Sequence, residues 1–376
     1  MNSKRILSGA ISAVAALSLV MSGASTASAA PVPSNKAKAG DECSRSGAVA
    51  KGRGIENSDL RCTNVTTGSF AGTLRWWYPD LKPLTTIDWT IPAAAGGGFA
   101  TTADLIGKTL ITEGLLTSQT SDAKPGAGGT TGLGVFQAIK GKQTAALLMG
   151  ISLTGGMNQV ANKNTLNLFD SVPIARVMRE YNAVFVPANS KYKTLPQLIN
   201  DINTNGRAIA VSGGNLGGVD HQVIGALLKT AGVPITKLNF VVGSGSEPIL
   251  KVLSGAAPVG VIGVVDVLPY VTDGKLRILG ISAPKPITGV KARTFIQSGY
   301  NLVYGNWRGI MAPGDITEAN RINFVKVIDT MRSTPTWKTV LSNNKWVDEF
   351  AGGKDFNNFL KTHMVEIKAF MADIGL

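Results

Sequence analysis

The chain has 376 residues, of which 44% are apolar and 16% charged, the balance of a globular protein with room for about two domains. Its 37 lysines and arginines against 24 acids give a formal charge of +13, but the basic residues are scattered, with no dense run and no interleaved aromatics. That pattern argues against a nucleic-acid partner and suits a solvated surface facing an anionic envelope.

In chain order, Lys4 and Arg5, the apolar stretch Ile6 to Val20 and the small-residue site Ala27-Ser28-Ala29 predict a secretory signal over residues 1–29, cleaved near Ala29. Ser8, Gly9, Ser12 and Ser18 dilute a stretch already short for a membrane span. No cysteine follows it closely for lipid attachment, so the mature chain is expected to be secreted and soluble, outside the cell or in its envelope. Residues 30–39, with Pro31 and Pro33, read as a polar linker. Residues 40–79 hold both cysteines, Cys43 and Cys62. In an oxidising compartment such a pair predicts a disulfide, and a metal site is disfavoured because neither histidine is near and the spacing is not that of a zinc motif. So short a segment buries too little apolar surface to stand alone, which makes the disulfide its staple. With a strand expected over Gly72 to Tyr78, it resembles the small cysteine-bridged hairpin modules that begin some actinobacterial secreted proteins.

From about Leu81 strand and helix patterns alternate. Strands are predicted over Thr86–Ile91, Ala145–Gly150, Asn182–Val186, Ile209–Val211, Leu238–Val242, Val259–Ile262 and Arg277–Ile281. Helices are predicted over Thr102–Leu110, Leu133–Ile139, Leu195–Asn203, Asp220–Ala231, Pro248–Ser254, Glu318–Arg332, Pro335–Asn343 and Gly353–Met371. The alternation predicts an α/β fold with mainly parallel sheets, in which ligands sit beyond the carboxyl ends of the strands. Three glycine loops occupy such places: Gly96-Gly97-Gly98, Gly126-Ala127-Gly128-Gly129-Thr130-Thr131, and Ser212-Gly213-Gly214-Asn215 through Asp220-His221. A strand that turns through glycines into a helix leaves backbone N–H groups open at the helix start, where the dipole favours an anion.

Catalytic patterns are near misses. His221 and His363 are the only histidines, and no Gly-x-Ser-x-Gly elbow occurs. Gly107-Lys108-Thr109 lacks the earlier glycine of a phosphate loop, where Thr102 stands, and a dinucleotide fingerprint from Gly126 and Gly128 fails at Thr131. A non-catalytic binder without cofactor or metal is expected. His221 fits either ligand contact or packing behind its loop, and His363 on the terminal helix fits a structural place. Arg308, with Trp307 inside Gly305-Asn306-Trp307-Arg308-Gly309, fits either a cation offered to a carboxylate or a strut between lobes, expected to act mainly on packing.

Taken in order, Ala95-Gly96-Gly97-Gly98-Phe99-Ala100, Pro125-Gly126-Ala127-Gly128-Gly129-Thr130, Pro173-Ile174-Ala175-Arg176, Tyr192-Lys193-Thr194-Leu195, Gly213-Gly214 through Asp220-His221, Gly274-Lys275-Leu276-Arg277-Ile278-Leu279 and Gly305 to Gly309 resemble the solute-binding component of tripartite tricarboxylate transporters, the Bug/TctC family. The resemblance covers residue 85 to Leu376. It implies a two-lobed, type II periplasmic-binding-protein fold, with residues 80–186 and 295–376 as lobe 1, residues 187–294 as lobe 2, and hinges near Phe185–Ala188 and Ser282–Thr294. It also implies a monomeric receptor that captures an organic carboxylate, including di- and tricarboxylates, and hands it to membrane permease subunits; an envelope ligand sensor or interaction protein on the same fold is the alternative. The ligand set expected is Gly96, Gly97, Gly98, Phe99, Thr102, Gly128, Gly129, Thr130, Thr131, Ser152, Ser212, Gly213, Gly214, Asn215, Asp220, His221, Ser244 and Gly245, holding the anion by backbone N–H groups and small hydroxyls. Family members commonly carry proline and aspartate where this chain has Ala95 and Ala100. Loss of that carboxylate makes a cationic or amino-acid ligand less expected, while Phe99 adds an apolar face.

Overall fold

The computed structural model describes residues 30–160, 165–243 and 245–373, so the signal segment and Ser244 lie outside the described residues. The chain opens with a three-stranded antiparallel sheet, β1 (Val49–Ala50), β2 (Leu60–Asn64) and β3 (Leu74–Trp77). The Cys43–Cys62 disulfide, Cα atoms 5.9 Å apart, pins its start, and Leu60, Trp76 and Tyr78 fill a small core. This module is fastened to the larger part of the chain. The Tyr78 hydroxyl donates to Asp329 at 2.5 Å, Arg321 grips both oxygens of Glu56 at 2.7 and 2.5 Å, and Lys326 meets Asp80 at 2.7 Å.

The main body runs β4 (Leu84–Ile91), α1 (Gly98–Thr112), β5 (Leu116–Ala123), α2 (Thr130–Gln137), β6 (Ala145–Gly150), α3 (Ile151–Val160), β7 (Val172–Pro187), α4 (Leu195–Asn205), β8 (Ala210–Gly213), α5 (Val219–Thr230), β9 (Asn239–Val242), α6 (Glu247–Leu253), β10 (Val259–Gly263), α7 (Val264–Thr272), β11 (Leu276–Ile281), β12 (Gly305–Ala312), α8 (Glu318–Ser333), α9 (Pro335–Asn343), β13 (Ala351–Gly352) and α10 (Lys354–Asp373). One sheet follows the order β5-β4-β6-β12-β7-β10-β8-β9, with β11 and β13 also paired to β7. Strands β4, β5 and β6 are parallel, as are β8, β9 and β10, while β12 and β7 run antiparallel between the two sets.

Strand β7 belongs to both lobes. Its residues up to Tyr181 pair with β12, and from Asn182 onward it pairs with β10 and β11. The return passes Ser282, which donates its N–H to the Asn182 carbonyl and accepts from the Tyr304 N–H, both at 3.0 Å. Strand partners therefore change at Tyr181–Asn182, four residues before the expected Phe185 hinge, and the second half keeps Phe295, Tyr300, Leu302 and Tyr304 in its core. The pattern hid this because the first part of β7 alternates Arg176, Arg179 and Glu180 with apolar residues, whereas Ala183 to Val186 is continuously apolar and wholly buried.

Three helix starts away from the cleft are closed by side chains: Thr194 and Gln197 form a capping box on α4, Thr317 accepts from the Asn320 N–H on α8, and Thr334 from the Trp337 N–H on α9. Helices α1, α5 and α7 begin instead at Gly97, Gly218 and Gly263, with no side-chain cap. Residues of all three starts line the space between the lobes.

Candidate functional site

That space is a cleft of about 570 Å³. Gly96, Gly97 and Gly98 line it from the first lobe, and Asp220 and Gly245 from the second. An apolar wall of Val219, Ile249, Ile262, Tyr270 and Trp346 completes it. Gly96 has φ +77 and Gly245 φ +53, conformations that a side chain would strain. At the start of α1 a Cβ on Gly98 would stand 3.0 Å from the Arg308 Nη2, so the guanidinium lies directly beside the open helix end.

Four further lining residues come from paired strands. Glu180 and Asn182 alternate along β7, Asn306 and Arg308 along β12, and Glu180 lies directly opposite Asn306 in the antiparallel register. The Asn306 amide donates to Glu180 at 2.5 Å. Arg308 donates to Asn306 at 3.1 Å and to Glu180 at 3.4 Å, and its guanidinium stacks 4.2 Å from the Phe99 ring centroid. Burial lowers the pKa of Arg308, but a guanidinium stays charged at any pH the fold survives. Trp307, between them, points the other way and packs on Phe356, Phe359 and His363 of α10. Arg308 had two readings from the sequence, but local pattern missed Glu180, Asn182 and Asn306 because polar side chains on the cleft face of a buried strand break the apolar run. The i, i+2 spacing of Asn306 with Arg308, and of Glu180 with Asn182, was the signal available.

Asp220 and Asp266 occupy the first turns of α5 and α7. Asp220 accepts from the Gly214 N–H at 2.8 Å and from the Asn182 amide at 2.5 Å. Burial pushes its carboxyl up to about 7, helped by Glu180 and Asp266 nearby and opposed by those two donors. Desolvation between the cleft walls, with the charge of Glu180, pushes Asp266 up to about 6. Ala100 offers no carboxylate, but the cleft has three others.

Of the remaining expected ligand residues, Thr102, Gly129, Thr130, Ser212, Gly213 and His221 are buried beside this surface, whereas Gly128, Thr131 and Asn215 are exposed. Thr102 is buried and donates to the Gly98 carbonyl at 2.7 Å. The second glycine loop touches α3: a Cβ on Gly128 would sit 2.6 Å from the Gly156 Cα, and Gly129 packs on Pro92 and Leu153, while Gly126, Ala127 and Gly128 stay exposed. Thr130 donates to the Ala127 carbonyl at 2.9 Å, Thr131 is exposed beside Gly126, and Ser152 is half-buried in the first turn of α3. Of the third loop, Ser212 is wholly buried, Gly213 packs on Phe240, Gly214 binds Asp220, and Asn215 accepts from the Gly218 N–H. His221 accepts from the Gly217 N–H at 3.1 Å and stacks 4.4 Å from Phe240; burial pulls it down to about 4, leaving a neutral ring behind the loop. Ser244 lies outside the described residues.

The family model described as "Tripartite tricarboxylate transporter family receptor" matches residues 112–376. No curated protein matches the sequence. Among solved structures, a TctC solute-binding protein from Polaromonas shares 20% identity over 78% of this chain and 99% of its own, with a TM-score of 0.62. MatC from Rhodopseudomonas palustris, with bound malate, shares 18% over 78% and 99%, TM-score 0.63. Another protein of that organism, with adipate, shares 15% over 78% and 98%, TM-score 0.65. At these identities the likeness establishes the fold, a two-lobed binding-protein architecture behind a small disulfide-bearing sheet. Among the described residues no helix is long and apolar enough to cross a membrane.

Proposed function

This chain belongs to the tripartite tricarboxylate transporter receptor family, and we propose that it is an exported receptor that captures a small organic carboxylate between its lobes and presents it to membrane permease subunits. The observation that carries this reading is the start of α1. A fifteen-residue helix opens onto the cleft with a glycine N-cap, no side-chain cap and no acid in its first turn, and Arg308 stands beside it. Unpaired N–H groups, the helix dipole and a guanidinium converge on one place for an anion. Malate and adipate in the two structural relatives support the same ligand class.

In this reading the anion docks on Gly97, Gly98 and Arg308, and the second lobe, with Asp220 and Gly245, closes over it. The residues around Gly128 and Ser212 hold the loops in shape. Because β7 and the Ser282–Tyr304 segment join the lobes, binding energy gained from both sides selects the closed arrangement that a permease would recognise. The test is a thermal-shift screen of mono-, di- and tricarboxylates, with hits confirmed by calorimetry. A true ligand at a hundred times its Kd stabilises the fold by about 2.7 kcal/mol. Failure of every carboxylate to shift the transition or release heat would end this reading.

A further inference from the structure

The two sides of the cleft differ in charge. On the first lobe α1 starts without an acid and is joined by Arg308, the one lysine or arginine among the described cleft-lining residues. On the second, the starts of both α5 and α7 are already occupied by carboxyl side chains, Asp220 and Asp266, which once ionised, above about pH 7 for Asp220, cancel the attraction those helix ends would hold for an anion. Glu180 faces the same space and already engages Arg308. A second observation points the same way. Asn182 lines the cleft, is 2% exposed and turns its amide donor to Asp220, which leaves its Oδ1 buried without a partner. An unpaired buried acceptor asks for an N–H or O–H donor.

We infer that the ligand is an amino-carboxylate, its carboxylate on the α1 start and Arg308 and its protonated amine among Glu180, Asp220, Asp266 and the Asn182 Oδ1. This rests on the carboxylate reading above and narrows it. A dicarboxylate in the same pose brings a second negative charge against three acids with a single guanidinium to balance them. An ammonium instead pairs with carboxylates and donates up to three hydrogen bonds, one of which the orphaned Asn182 oxygen accepts.

Calorimetric titration at pH 7.5 tests this with matched probes: L-α-amino acids and the ω-amino acids of four to six carbons, beside the monocarboxylates and dicarboxylates of the same skeletons. The tightest ligand is expected to carry an amine and to bind at least tenfold more tightly than its counterpart lacking it. Glu180→Gln and Asp266→Asn, made singly, should each remove most of that advantage, and Asp266, exposed to the cleft, is replaceable without disturbing the core. A dicarboxylate as tightest ligand would overturn the inference and leave the carboxylate reading standing. An amine advantage undiminished in both variants would overturn it too. Silence from every carboxylate would remove both readings together.

Discussion

Replacing Arg308 by methionine separates a ligand-binding arginine from an interlobe strut. Arg308 is 5% exposed, donates to Asn306 at 3.1 Å and Glu180 at 3.4 Å, and stacks on Phe99. Removing one member of a fully buried ion pair costs about 3–5 kcal/mol. Here the Glu180 side chain is 25% exposed and keeps the Asn306 amide at 2.5 Å, so a smaller loss, about 1–3 kcal/mol, is expected after solvent screening. For binding, the lost charge-assisted hydrogen bonds amount to about 1.5–3 kcal/mol, roughly a tenfold to hundredfold rise in Kd. The double variant Arg308→Met with Glu180→Gln removes both charges and should recover stability without recovering carboxylate affinity. Chemical denaturation gives the first quantity and calorimetry with the acid identified by screening gives the second. Arg308→Met with wild-type affinity and lowered stability would make Arg308 a strut only and refute the anion site drawn here.

Replacing Cys43 and Cys62 together by serine opens a loop of 19 residues' separation and should lower the stability of the N-terminal module by about 3 kcal/mol, with carboxylate affinity unchanged; calorimetric melting beside ligand titration checks both. Asp220→Asn should alter the pH dependence of stability in a defined direction. In the folded protein Asp220 holds its proton up to about pH 7, whereas the unfolded chain releases it near the ordinary 3.8, so its contribution to stability falls as pH rises between those values. His221 and His363, both held near 4 in the fold by burial, contribute in the opposite direction between about pH 4 and 6.5. The variant should therefore gain on the wild type as pH rises from 4 to 7, read by urea denaturation across that range, and a constant difference would contradict the assignment. Gly128→Ala should destabilise the fold, because φ +65 disfavours a side chain and its Cβ would meet the Gly156 Cα at 2.6 Å; melting temperature measures it, and an unchanged value would mean that α3 does not pack on this loop as described.

The start of α1 was readable in sequence because its chemistry is local: glycines between a strand and a helix leave that start without a side-chain cap. The second loop has the same local form, yet its backbone at Gly128 stands against Gly156 of α3, a contact that no local pattern carries. Strand β12 went unread although every residue in it is buried, since Asn306 and Arg308 face a polar cleft and break the apolar run that marks a central strand. Strand β5 (Leu116 to Ala123) was hidden for another reason: at the sheet edge it is mostly exposed, and its sequence is polar nearly throughout. Asp266 escaped notice because α7 follows β10 without a loop and contains Pro269, so neither a boundary nor a helical stretch stood out. Asp220 was legible as a first-turn acid, but its partnership with Asn182 comes from a strand 38 residues earlier.

The central claim is that the open start of α1 and Arg308 together hold a carboxylate. A crystal structure of the protein with the tightest acid from the screen tests it most directly. The account predicts carboxylate oxygens within hydrogen-bond distance of the Gly98 and Phe99 N–H groups and of the Arg308 guanidinium, with Asp220 and Gly245 closed over the ligand. A ligand bound away from the start of α1, with Arg308 still paired only to Glu180 and Asn306, would contradict it.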